Sequence, residues 1–130
     1  MRKATAEWVR KAEADFAAAQ RLAGAKPPLH DPLCFHCQQS AEKYLKALLS
    51  ECGIPIPRVH DLDALLSLLS PQQPGMGSLR RSVSVLTQYA VEYRYPGLHA
   101  LSRQARGALR HADKVRERIR GALGISARRR

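Results

Sequence analysis

Aromatic residues, acidic residues and long apolar runs are all scarce in this sequence, and each shortage removes a class of protein. Only 5% of the 130 residues are Phe, Trp or Tyr although 45% are apolar, so the apolar positions are mainly Leu, Ala and Val. That mix suits packed helices better than a β-sandwich. No apolar run approaches the roughly 18–20 residues that would span a bilayer, so no membrane is expected. The start Met1-Arg2-Lys3-Ala4-Thr5-Ala6-Glu7 lacks the apolar region of a secretory signal. Three cysteines without such a signal read as reduced thiols in a cytoplasm. No phosphate-binding glycine loop, Ser-His-Asp arrangement or carboxylate metal cluster is recognisable, and neither a metal nor a cofactor is expected.

What is plentiful is positive charge. Lys and Arg number 22 against 11 acids, a net charge of +11. Such a balance fits a polyanionic partner, whether RNA, a nucleotide or an acidic protein. It fits equally a solubilising surface with an arginine bias, and charge alone does not choose. The length is that of one domain.

Periodicity predicts helices throughout. Trp8, Ala12, Phe16, Ala19 and Ala23 recur at three- and four-residue spacing, which predicts a first helix over 3–23 with Gly24 as its stop. Asp31 before Pro32 has the form of an N-cap with proline at the first helical position, and the second helix runs from there to Cys52. Ile54-Pro55-Ile56-Pro57 is held extended by its prolines. Asp61 is the expected cap of a short third helix with Leu62, Leu65, Leu66 and Leu69 as its buried stripe. Leu79, Val83, Leu86, Ala90 and Tyr93 mark a fourth helix. Leu101, Ala105, Ala108, Ala112, Val115 and Ile119 mark a long fifth one after the break at Pro96-Gly97. The architecture expected is all-α: an up-and-down four-helix bundle with an additional short helix. The domain is expected to cover residues 1–125, with 126–130 a frayed basic tail.

The second helix carries more polar residues than a core-facing helix needs. At 100° per residue, Cys34, Cys37, Ala41, Tyr44, Leu45, Leu48 and Cys52 share one apolar face. A second ridge carries Phe35, Gln38, Glu42 and Leu49, flanked by Gln39 and Lys46. That ridge reads as a half-buried surface meeting another subunit or a site. Cys34 and Cys37 invite a zinc or redox reading. Both lie on the apolar face with His36 nearly opposite and no strand nearby, so they are read as core cysteines.

Four motifs occur in a fixed order. They are Lys11-Ala12-Glu13-Ala14-Asp15-Phe16 after Trp8, Gln38-Gln39-Ser40-Ala41-Glu42-Lys43-Tyr44-Leu45-Lys46-Ala47, His60-Asp61-Leu62, and Tyr93-Arg94-Tyr95-Pro96-Gly97. Together they span about residues 3–124, and in this order they resemble the HEPN superfamily of small all-α proteins. HEPN ribonucleases use an Arg-x4–6-His motif, so the resemblance makes Arg94 and His99 a candidate catalytic pair. The chemistry is coherent. A histidine moves the proton at the ribose 2′-hydroxyl or the leaving oxygen, and an arginine stabilises charge on the phosphate, without a metal. Against this, Tyr95 follows the arginine where active members often carry a polar residue, and Pro96-Gly97 interposes a turn. The Arg-Tyr-Pro form resembles the branch often encoded beside a minimal nucleotidyltransferase and thought to act with it in toxin–antitoxin-like or nucleotide-handling modules. The preferred expectation is therefore a binding module that recognises a nucleotide, RNA or that enzyme partner. Its expected binding residues are Arg94, Tyr95, Gln38, Glu42, Lys46 and His60. The alternative is a metal-independent endoribonuclease using Arg94 and His99. HEPN proteins commonly pair, so a homodimer is expected, through the ridge of the second helix or the Arg94 region. Arg103, Arg106, Arg110 and Lys114 form a solvent face on the fifth helix, which Asp113 and Glu117 share at spacings that allow local ion pairs, so nucleic-acid binding there is a secondary reading.

Overall fold

The computed structural model describes residues 1–125, so the basic tail expected at 126–130 lies outside the described residues. The described chain is helical and contains no strand. Five α-helices follow one another: α1 (Lys3–Ala23), α2 (His30–Glu51), α3 (Leu62–Leu69), α4 (Arg80–Thr87) and α5 (Ser102–Ala122). Short 3-10 turns at Pro74–Leu79, Gln88–Ala90 and Glu92–Arg94 flank α4. The bundle of α1, α2, α4 and α5, with α3 as the extra short helix, is the arrangement read from the sequence.

The second helix is the centre of the molecule. An ordinary surface helix buries one stripe, whereas 14 of the 22 residues of α2 are buried, because α1, α3, α4 and α5 all pack around it. Leu45, Leu48 and Leu49 are within 1% of complete burial, as are Cys34 and Cys37. The ridge of Phe35, Gln38, Glu42 and Leu49 is therefore not left for a partner. Gln38, Glu42 and Leu49 are buried within the chain and only Phe35 is partly exposed. The reason is α3 and the loop before it, which lie over this side of α2.

Of the two N-caps expected, one forms. Asp61 caps α3 as expected, its carboxylate accepting from the N–H groups of Asp63 and Ala64. Asp31 does not cap α2. The helix begins one residue earlier, and the Asp31 carboxylate instead accepts the Ala100 N–H at 2.7 Å, pinning the entry to α5 against the start of α2. The fourth helix is also shorter than its apolar repeat suggests. Val91 leaves helical geometry at φ −133°, and Tyr89 stacks on Tyr93 across the two 3-10 turns at 5.5 Å. Leu101 sits before α5 and is exposed, not part of its stripe.

Two arginines on α5 enter the interior. Arg116 donates from Nε to Glu13 Oε2 at 2.6 Å and from Nη2 to Glu13 Oε1 at 3.0 Å, a two-pronged charge-assisted pair. The Tyr44 hydroxyl donates to the same carboxylate, and Arg120 Nη1 donates to the Tyr44 hydroxyl at 3.3 Å. One carboxylate thus joins α1, α2 and α5. Burial pushes the Glu13 pKa up, but the hydrogen bonds from Arg116 and Tyr44 outweigh it and hold it below its ordinary value of 4.5.

Removing Glu13 leaves the buried Arg116 guanidinium with only its longer contacts to Asp113 and Glu117. Glu13→Ala is expected to cost about 3 kcal/mol in urea unfolding at pH 7, more than an exposed ion pair contributes. Glu42, described below, is depressed as well. Carboxylates with lowered folded pKa stabilise the chain above their unfolded pKa and lose that contribution as pH falls through the folded value. Stability should therefore decline below about pH 4.5, and Glu13→Gln should make the decline shallower.

Candidate functional site

The expected binding residues fall into two groups. In the first, α2 places Gln38, Glu42 and Lys46 one turn apart on one side, facing the loop that ends at Asp61. The Glu42 carboxylate is the hub. It accepts from Gln38 Nε2 at 3.0 Å and Lys46 Nζ at 3.0 Å, and it pairs with His60 Nδ1 at 2.9 Å. Gln38 also donates to the His60 carbonyl at 3.3 Å. Lys46 lies 5.7 Å from the Trp8 ring centre, which completes its surroundings. Burial raises the Glu42 pKa, yet the bonds from Gln38, His60 and Lys46 together bring it below its ordinary value. Glu42 and Lys46 are almost fully buried while the His60 side chain is 70% exposed. This group is a clasp that holds the extended Ile54–His60 strap onto α2, and its polar atoms are already engaged with one another. Four of the six expected binding residues thus meet around one carboxylate.

The second group lies at the other end of α2, where the connection from α4 to α5 passes its first turn. Arg94 closes the last 3-10 turn and donates from Nη1 to the Ala90 carbonyl at 3.5 Å. That single long contact leaves most of the five guanidinium donors unspent. Tyr95 is 65% exposed beside it. Gly97 takes φ +92°, a left-handed turn open to glycine, and redirects the chain toward Ala100. His99 points back to α2, with Nδ1 3.4 Å from Asp31 Oδ2. Arg94 and His99 thus have different partners, on either side of Asp31 and Pro32.

Between α2 and the turn is a pocket of about 330 Å³, lined by Asp31, Pro32, Phe35, Tyr89, Tyr93 and Arg94. Three rings wall it, with a carboxylate and a guanidinium at its edge. Burial raises the pKa of both tyrosines, that of Tyr89 to about 12, so both remain neutral phenols. Sequence reasoning found Arg94 here but missed the pocket. Its signals were Tyr89 and Tyr93 one turn apart and Phe35 one turn after Asp31, but nothing in the sequence says that the two segments meet. Around it, Leu29, Val91, Tyr95, Leu98 and Leu101 make up five of the eight large apolar side chains exposed among the described residues. Cys34 and Cys37 are core residues behind this region. Desolvation lifts the Cys34 thiol to about 12 and raises Cys37 as well, so neither is a thiolate suited to metal or redox chemistry.

The fold has a counterpart in a known family. A family model for the HEPN domain matches residues 5–122, and the chain belongs to that family. Among solved structures it is similar to TT1696 from Thermus thermophilus, with 26% identity, a TM-score of 0.79, and coverage of 90% of this chain and 96% of that one. It shares its fold also with ST0689, an archaeal HEPN homologue, at 23% identity and a TM-score of 0.74 over 95% of this chain and 99% of the other. No curated protein matches the sequence at a significant level. Among the described residues no helix is long and apolar enough to cross a membrane.

The buried and the exposed partner of the clasp separate by mutation. Glu42→Ala strands the buried Lys46 charge and should cost about 3 kcal/mol in urea unfolding. His60→Ala removes a solvent-exposed partner and should cost less than about 1 kcal/mol. A costless Glu42→Ala would mean that the clasp does not secure the strap.

Proposed function

We propose that this HEPN domain is a non-catalytic binding module that holds a nucleotide in the pocket between α2 and the Arg94 turn. The observation that carries this reading is the pairing of an aromatic-walled cleft with an underused arginine at its rim. A cleft of this size lies at the lower end of small-ligand sites. Phe35, Tyr89 and Tyr93 offer faces and edges to a base, and Asp31 offers an acceptor to an exocyclic amine. Arg94 supplies a forked cation for a phosphate. The nucleotide is free or part of an RNA, and the module acts beside a minimal nucleotidyltransferase in a toxin–antitoxin-like system. The apolar rim of Val91, Tyr95, Leu98 and Leu101 is the surface on which that enzyme or a second copy of the chain docks. Homodimerisation accordingly moves from the α2 ridge, which the chain itself covers, to the Arg94 end.

A second reading has one observation in its favour. Asp31 engages His99 through Nδ1, while the imidazole is 78% exposed, which leaves Nε2 toward solvent. A carboxylate orienting a histidine in this way suits proton transfer, so Arg94 and His99 would form a metal-independent endoribonuclease.

Calorimetric titration with adenosine monophosphate tests the first reading. Arg94→Ala should weaken binding about tenfold or more, the loss of a hydrogen-bonded charge, and His99→Ala should leave it intact. Wild-type RNA cleavage that persists in a chelator, leaves a 2′,3′-cyclic phosphate and vanishes in His99→Ala would instead establish the nuclease.

A further inference from the structure

Most of the charge on this chain is not used by the nucleotide pocket. A row of it lies on α5, close to the start of α4. Arg110, Lys114 and Arg118 follow one another at four-residue intervals, about 6 Å apart along the helix, and all are exposed. Arg81 joins them from α4. Arg81, Arg110 and Lys114 all bear on the same imidazole, that of His111, whose pKa is lowered first by burial and then by these three cations. Three cations from two helices therefore gather around one imidazole, with Arg118 one turn further along α5, and among the described residues none of the four forms a salt bridge. The neighbouring acids are drawn the other way. The Asp113 and Glu117 carboxylates lie 3.8 and 3.5 Å from Arg116 Nη1, although both side chains remain partly open to solvent beside the cations.

Beside Lys114 and Arg118 is a groove of about 700 Å³. Gln73, Gly75, Ser78, Lys114, Arg118 and Gly121 are among the residues lining it, and Glu117 is its acid. Arg118 spends one donor on the Gly75 carbonyl at 2.9 Å. Gly75 makes that approach possible, since a Cβ there would lie 2.6 Å from the guanidinium. A Cβ on Gly121 would meet nothing within 4 Å, so the groove is open at that position. No aromatic ring lines it. Base stacking, the usual second component of single-strand binding, is missing, and what is left is contact with phosphates.

We propose that the row of Arg110, Lys114 and Arg118 on α5, with Arg81 beside it and the groove at Gly75, Ser78 and Gly121 at the Lys114–Arg118 end, forms a second binding site that tracks the phosphate backbone of a single-stranded nucleic acid. The site reaches beyond the pocket reading and does not depend on it. A straight row of cations along one helix follows one strand. An RNA and a DNA strand carry the same backbone charge, so both engage the row, without regard to sequence.

The test is fluorescence anisotropy with a labelled twelve-nucleotide RNA, its DNA counterpart and a poly-glutamate of equal charge, across a salt series. The expected result is binding of the nucleic-acid strands that weakens steeply with salt. Replacing Arg110, Lys114 and Arg118 together by Ala should reduce the slope of log affinity against log salt by about 2, at roughly 0.7 per lost phosphate. The Arg110→Lys variant keeps the charge and should keep the slope. An RNA preference over DNA would still place the strand on this face if the triple variant removes it. No binding at low salt, or an unchanged slope in a triple variant with wild-type circular dichroism, overturns the proposal. Poly-glutamate binding as tightly as RNA overturns it in favour of an acidic protein. The triple variant should bind adenosine monophosphate like wild type. A wild type that binds strands but not the mononucleotide refutes the pocket and leaves this site standing.

Discussion

Everything else in the fold depends on keeping charge neutralised around a helix that is buried on nearly all sides. Because α2 is central, its buried charges cannot turn to water, and they find their counter-charges inside the chain. Toward α1 and α5, Tyr44 meets the Glu13–Arg116 pair. Toward α3, Glu42 gathers Lys46, Gln38 and His60. Toward α1 again, Asp15 takes both Lys43 and His36. A buried ion pair adds little net stability over an apolar equivalent. What these three do is restrict α2 to one rotation and one register against its neighbours.

That fixed rotation is what creates the candidate site. With α2 locked, Asp31 and Phe35 on its first turns face the α4–α5 connection. The Ala100 N–H on Asp31 then holds the far end of that connection in place. The pocket is a by-product of two rigid parts meeting at one carboxylate, and its walls come from α2 and from the stacked Tyr89–Tyr93 pair. The turn between, carrying Arg94 and Tyr95, is free to present side chains because the framework on both sides does not rely on it.

The fold was legible because apolar spacing in a Leu- and Ala-rich chain has few interpretations. The bounds of α1, the cap at Asp61 and the stripe of α5 from Ala105 to Ile119 all follow from it. Three things were not legible, each for a physical reason. Arg116 and Arg120 sit beside Val115 and Ile119 on the wheel, and no local pattern says that a guanidinium will be drawn inward by a carboxylate 103 residues away in sequence. The α2 ridge looked unpartnered because its cover, the strap at 54–60, has no periodicity to announce its direction. Asp31 before Pro32 had the composition of a cap, but the stronger demand came from the Ala100 N–H, a long-range partner that a local motif does not register. The site was half legible in the same way: Arg94 stands out in sequence, while the rings that face it are distributed over α2 and two short turns.

The cysteines carry a practical consequence. Two of the three thiols are sealed in the core with raised pKa, and neither is poised to react with an alkylating reagent. Cys52, at the opposite end of α2, is partly open to solvent. Between His30 and Cys52 the helix rises about 33 Å. The native chain thus contains a single attachment point for a dye, fixed to a rigid rod whose other end is the Arg94 pocket. Energy transfer from that dye to a labelled ligand would report which end of the molecule the ligand occupies.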